Sequence, residues 1–148
     1  MLFNSQRRVR VAITPLASFL EKVRRTLQFP EDGVTIRLVS DATMGVMNRD
    51  FRGKHGPTDV LSFPASHHPS RNNRNRRKSY RLKGYIGDIA ISPETARRNA
   101  RQQSRSLSKE LRILILHGMI HLAGYDHETD HGEMDRFERR MRKRLGLA

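Results

Sequence analysis

The order of apolar patterns along the chain predicts an α+β domain, with a mixed sheet of about four strands covered by about five helices. Two observations carry that reading. Short runs alternate apolar and polar residues, as at Val34, Ile36 and Leu38, while longer runs recur at helical spacing, as at Leu16, Phe19, Leu20, Val23 and Leu27. Taken in sequence they read β-α-β-α-β and then β-α-α-α. A length of 148 residues fits one domain, 1–148, large enough to bury one substantial core.

Val9, Val11 and Ile13 alternate with Arg8, Arg10 and Ala12, which predicts the first strand. Thr14 and Pro15 have the chemistry of an N-cap and a first helical residue, so a helix follows and ends at Phe29-Pro30. Asp32-Gly33 turns into a second strand over 34–39, and Asp41 caps a short helix through Met44 and Met47. Residues 52–57, RGKHGP, form a loop. A third strand is predicted over 58–63, stopped by Pro64, and a fourth over 85–91. Ser92-Pro93-Glu94 opens a basic helix that ends near Arg105. Residues 107–123 form the most apolar helix and hence the central one. Asp130-x-x-Glu133 has the form of a capping box for a last helix reaching about Leu145.

Lys and Arg total 29 against 15 Asp and Glu, a formal net charge of +14. Half of that excess lies between 71 and 83, where Arg71, Arg74, Arg76, Arg77, Lys78, Arg81 and Lys83 occur without an acid. The predicted loop at about 65–84 is therefore strongly basic. A nucleic-acid partner accounts for such charge through counterion release, and a solubilising loop is the plainer alternative. No run of about 18 apolar residues exists, so a membrane span is excluded and no membrane partner is expected. With no cysteine, disulfides, thiolate metal sites and cysteine catalysis are excluded as well. No secretory signal is recognised, and a cytoplasmic location is expected.

Four of the seven histidines fall between 117 and 131. His117 and His121 stand four apart on the predicted central helix, so their rings share a face and can meet one metal ion. Gly124 permits the left-handed turn that ends a helix and returns His127 as a third ligand. Three imidazoles with an open fourth position are the donor set of a catalytic zinc ion, which would lower the pKa of a water to about 7. One zinc ion is therefore the expected cofactor, on the central helix in a zincin-like arrangement; nickel is a further candidate for the same ligands. His55, His67, His68 and His131 read as solvated, with proton donation to a leaving oxygen as the alternative for His55. The spacing is similar to the metzincin pattern that begins H-E-x-x-H, but Gly118 stands where that pattern has its general base. A basic protein with a water-activating metal and no such base points toward phosphodiester cleavage.

Two blocks, FRGKHGPTDVLSFP at 51–64 and HGMIHLAGYDH at 117–127, together with GDIAI at 87–91, resemble the YbeY family of bacterial single-strand-specific metallo-endoribonucleases. The resemblance covers roughly 34–146. It implies that His117, His121 and His127 are zinc ligands and that Arg52 is the arginine required for activity. It implies single-stranded RNA, chiefly rRNA, as substrate, and maturation of the 3′ end of 16S rRNA and ribosome quality control as the process. Implied partners are the small ribosomal subunit, a small-subunit ribosomal protein and the Era-type GTPase. The stretch between Pro64 and Gly84 is longer and more basic than the family pattern, which reads as an RNA-grasping arm or as a solvated loop.

Individual roles follow. Arg52 can pair bidentately with a phosphate as charge develops, and Lys54 is a second candidate for phosphate binding. Asp126 reads equally as an acceptor that orients a ligand imidazole and as a turn residue beside Gly124. Tyr85 and Phe51 read first as core aromatics, with base stacking as the alternative. The nucleophile is a water or the RNA 2′-hydroxyl. Two other functions stay open: a non-catalytic RNA-binding assembly factor with a structural metal, and an atypical zinc peptidase, against which Gly118 argues.

Overall fold

The computed structural model describes residues 1–65, 84–125 and 130–148. The predicted basic loop, together with Asp126 and His127, lies wholly or almost wholly outside the described residues. The described chain is an α+β domain of five helices and a four-stranded mixed sheet: β1 (Leu2–Asn4), α1 (Ile13–Thr26), β2 (Val34–Leu38), α2 (Asp41–Arg52), β3 (Val60–Pro64), β4 (Gly87–Ile91), α3 (Pro93–Gln102), α4 (Leu107–Leu122) and α5 (Glu133–Arg144). The element order is the predicted one. The strands lie in the order β1-β2-β4-β3, with β1, β2 and β4 parallel and β3 antiparallel to β4.

Strand alternation divides the side chains between two faces. Ile36, Leu38, Ile89 and Ile91 enter one large core with Leu111, Ile115, Leu116, Met119 and Ile120 of α4. Helix α4 touches α1, α3, α5, β3 and β4, so the most apolar helix of the sequence is indeed the central one. On the other face a smaller cluster of Val39, Met44, Leu61 and Ala90 seats α2.

The first strand differs from its prediction. It lies at Leu2–Asn4, and 5–12 carry no regular structure although Val9 is buried. The Gln6 side chain explains this: its Oε1 accepts from Val9 N at 2.9 Å and its Nε2 donates to Val9 O at 2.9 Å. The backbone groups a strand would offer to a neighbour are thereby consumed locally. Helix α1 starts one residue after Ala12, not after Thr14; Pro15 falls in the first turn, where a missing N–H costs no helical bond.

Helix α2 is longer than expected. Ser40, not Asp41, caps it, with Oγ accepting from Thr43 N at 3.2 Å. At the other end Gly53 takes a left-handed φ of 64° and closes onto Arg49 O at 3.0 Å. Arg52 is consequently the last helical residue and not part of the following loop. The Asp130–Glu133 box forms in altered register: Asp130 accepts from Gly132 N and Met134 N, Glu133 accepts from His131 N, and the helix itself begins at Glu133.

Candidate active site

The site is built on the last two turns of α4, over β3 and β4. Helix and sheet meet closely at Gly118. A Cβ there would lie 2.9 Å from Ile89 Cδ1, 3.1 Å from Ile89 Cγ2 and 3.3 Å from Ser62 Oγ. Gly118 thus faces the sheet, and its carbonyl accepts from Ser62 Oγ at 3.4 Å. The position that holds a glutamate in H-E-x-x-H peptidases is here a packing contact, and a side chain there would have to displace Ile89.

The flanking histidines occupy the partly exposed side of the same helix. The rings of His117 and His121 meet edge to face with centroids 5.6 Å apart, as one helical turn of separation dictates. His117 Nδ1 lies 2.7 Å from Glu138 Oε1 on α5, and Glu138 Oε2 accepts from Arg142 at 3.1 Å, one turn further along. Burial of Glu138 opposes its ionisation, but the hydrogen bond and charge of His117 and the guanidinium of Arg142 outweigh it and hold the carboxyl below its usual range. An ionised Glu138 accepts from a protonated Nδ1 of His117 and leaves Nε2 as the ring nitrogen that can face an ion. A carboxylate behind an imidazole is the arrangement that orients metal-ligating histidines. The donor chemistry of His117 and His121 therefore fits a borderline divalent cation such as zinc.

Beside His117 opens a cleft of about 360 Å³ whose polar wall includes Asp59, Gln103, Arg105, Glu110 and Arg142. Each of its arginines is paired with a carboxylate, Arg105 with Glu110 at 3.0 Å and Arg142 with Glu138 at 3.1 Å. Arg52 and Lys54 are exposed at the C-terminal end of α2 and do not line this cleft. Their segment is tied down by Asn48, which is buried and donates from Nδ2 to Gly56 O at 2.9 Å. His55 and His131 are exposed, as expected of solvated residues, while His67 and His68 are outside the described residues.

Sequence reasoning missed Glu138 and Arg142 as parts of the site. Their i,i+4 spacing on a helix was visible, but nothing local announces a contact between Glu138 and a histidine 21 positions earlier. Phe51 and Tyr85 are not core residues: they are 69% and 46% exposed.

A family model described as Endoribonuclease YbeY matches residues 3–146. A relative of that name from Koribacter versatilis is 39% identical over 147 residues, covering 99% of this chain and 86% of the relative. One from Helicobacter pylori strain 26695 is 36% identical, covering 90% and 88%. One from Solibacter usitatus is 43% identical over 110 residues, 74% of this chain and 64% of the relative's length. In structure, the chain is similar to the Thermotoga maritima protein TM1509, solved in solution, with a TM-score of 0.62 and 27% identity over 98% of this chain and 89% of the other. With the family model spanning nearly the whole chain and these relatives carrying its name, this chain belongs to the endoribonuclease YbeY family.

Proposed function

We propose that this chain is an RNA-cleaving enzyme, a metal-dependent endoribonuclease of single-stranded RNA, chiefly rRNA. Kinship with proteins named endoribonuclease supports RNA as the substrate class, and the net charge of +14 suits a polyanionic partner. The observation that carries the metal-dependent reading is the paired imidazoles of His117 and His121 with Glu138 bonded behind His117.

In this proposal His117, His121 and His127 hold one zinc ion. When bound, zinc supplies a Lewis acid for the phosphoryl oxygens and an acidified water. Glu138 engages Nδ1 of His117 and leaves Nε2 to the ion, and Arg142 holds Glu138 in place. Arg52 offers a planar guanidinium to the scissile phosphate, Lys54 adds a second cation, and Asp126 orients a ligand imidazole. The wider setting proposed is maturation of the 3′ end of 16S rRNA and ribosome quality control in the cytoplasm, with the small ribosomal subunit, one of its proteins and an Era-type GTPase as partners. Among the described residues no helix is long and apolar enough to cross a membrane.

Gly118 supports a nuclease over a peptidase, because it supplies no general base and packs against the sheet instead. The deciding experiment incubates the purified protein with end-labelled single-stranded rRNA fragments beside His117→Ala and Arg52→Ala, with metal content determined on all three. The expected result is cleavage by the native protein, loss of metal and cleavage in His117→Ala, and retained metal without cleavage in Arg52→Ala. Stoichiometric metal and RNA binding without cleavage by the native protein would instead assign it as an assembly factor.

A further inference from the structure

Among the described residues, the face of the sheet opposite α4 is only partly covered: α2 seats on Leu61 and Ala90 of β3 and β4, and no other described element covers the β1 and β2 side. Registers place Phe3 beside Arg37, Thr35 beside Asp88, and Asp88 beside Phe63 on this outer face. Among the described residues the exposed aromatic side chains are Phe3, Phe51 and Tyr85, at 39%, 69% and 46%, and all three belong to this face. The Arg37 guanidinium carbon lies 4.9 Å from the centre of the Phe3 ring. Phe51 reaches the sheet by an edge contact with Phe63 at 4.8 Å. Tyr85 donates its hydroxyl to Asp88 at 2.6 Å, which fixes the ring's orientation.

Exposed aromatic rings gathered on one face mark a binding surface, not scattered surface apolarity. A sheet face with separate exposed rings and an interleaved guanidinium suits bases that are unstacked and joined by phosphates. A protein partner would call instead for a contiguous apolar patch, and here a charged Arg37 stands between the rings. Arg52, the cation assigned above to the phosphate, follows Phe51 directly in the chain and is exposed.

We propose that the outer sheet face is a stacking platform for single-stranded RNA, with Phe3, Phe51 and Tyr85 each taking the face of a base and Arg37 a phosphate. It rests on the reading of the chain as an RNA-cleaving enzyme and adds a binding surface on the sheet face away from α4. Tyr85 holds its ring ready in the free protein, so less side-chain freedom is lost on binding.

Fluorescence anisotropy with a labelled 12-nucleotide single-stranded RNA, and with the same sequence as a duplex, tests the platform. Phe3→Ala, Phe51→Ala and Tyr85→Ala should each weaken single-strand binding roughly tenfold with an unchanged salt slope. Arg37→Ala should reduce that slope by about one. Tyr85→Phe keeps a ring and should bind nearly as the native protein does. Phe3→Leu keeps the apolar bulk without the ring and should behave as Phe3→Ala. Val46→Ala, at an exposed apolar site on α2, should change nothing. Thermal unfolding of each variant checks that it is folded. Native-like binding by all three alanine variants overturns the platform and leaves the enzyme reading standing. So does an equal loss on the duplex, or a dimer in sedimentation that dissolves in Phe3→Ala, which would give the face to a second copy. A native protein that neither binds nor cleaves the single strand overturns the reading on which the platform rests.

Discussion

The two faces of the sheet are held by different forces. Under α4 the contact is apolar: Ile36, Ile89 and Ile91 meet Leu116, Met119 and Ile120 with almost no exposed surface. Over the other face α2 buries little, and polar ties do much of the work of holding it. Asp41 accepts from Ser92 Oγ at 2.6 Å, Thr95 Oγ1 at 2.7 Å and Arg98 at 2.8 Å, while Glu94 accepts from Asp41 N at 3.0 Å. Apolar burial makes a rigid bed for the histidines and is insensitive to acid. A polar clasp needs less apolar surface, but it depends on ionisation.

The largest expected effect tests the apolar side. Leu116→Ala should lose about 2–5 kcal/mol in denaturant unfolding, whereas Phe3→Ala on the open face should lose about 1 kcal/mol or less. Equal losses would break the comparison. Glu138→Gln keeps the shape but removes the charge behind His117; zinc affinity measured by titration calorimetry should fall about tenfold or more. Gly118→Ala should cost about 1–3 kcal/mol through the contact with Ile89 Cδ1. Ile89→Val removes that atom, so the double variant should be less destabilised than the sum of the singles.

The clasp predicts an acid response. Burial opposes ionisation of Asp41, yet its hydrogen bonds from Ser92, Thr95 and Arg98 hold the carboxyl below its ordinary 3.8. Its contribution is therefore complete above that value and disappears as pH falls below it through the folded-state value. Stability measured from pH 6 downward should decline less steeply in this window for Asp41→Asn than for the native chain. The smallest effect is local: amides of α2 should exchange hydrogen sooner than those of α4 in the native state, and the reverse order would contradict the contrast between the faces.

The readable parts of the sequence were those whose determinants are local. Helix α4 declared itself by apolar density, and His117 and His121 by their spacing along it. Ser92-Pro93 marked the start of α3 because cap and first turn are adjacent in the chain. Strand β1 was missed because three residues at a sheet edge, LFN, have no period to detect, and because Gln6 turns a strand-like pattern at Val9 into a local loop. Arg52 was placed in a loop although Gly53 carried the signal of a helix end one residue later. The pairing of Glu138 with His117 depends on where α5 docks, which no local pattern encodes. Phe51 and Tyr85 read as core from sequence because aromatic residues usually are; their exposure depends on how α2 and the residues before β4 dock on the sheet, which no local pattern encodes.

The tight contact at Gly118 also bears on how such a protein can change over generations. Recruiting an acid at this position, the step that would give the helix a peptidase base, requires space that Ile89 and Ser62 now fill. Made alone, that substitution would press on Ile89 and weaken the fold; made after a smaller residue on β4, it would meet less resistance. The contact thus makes the order of two substitutions matter as much as their chemistry.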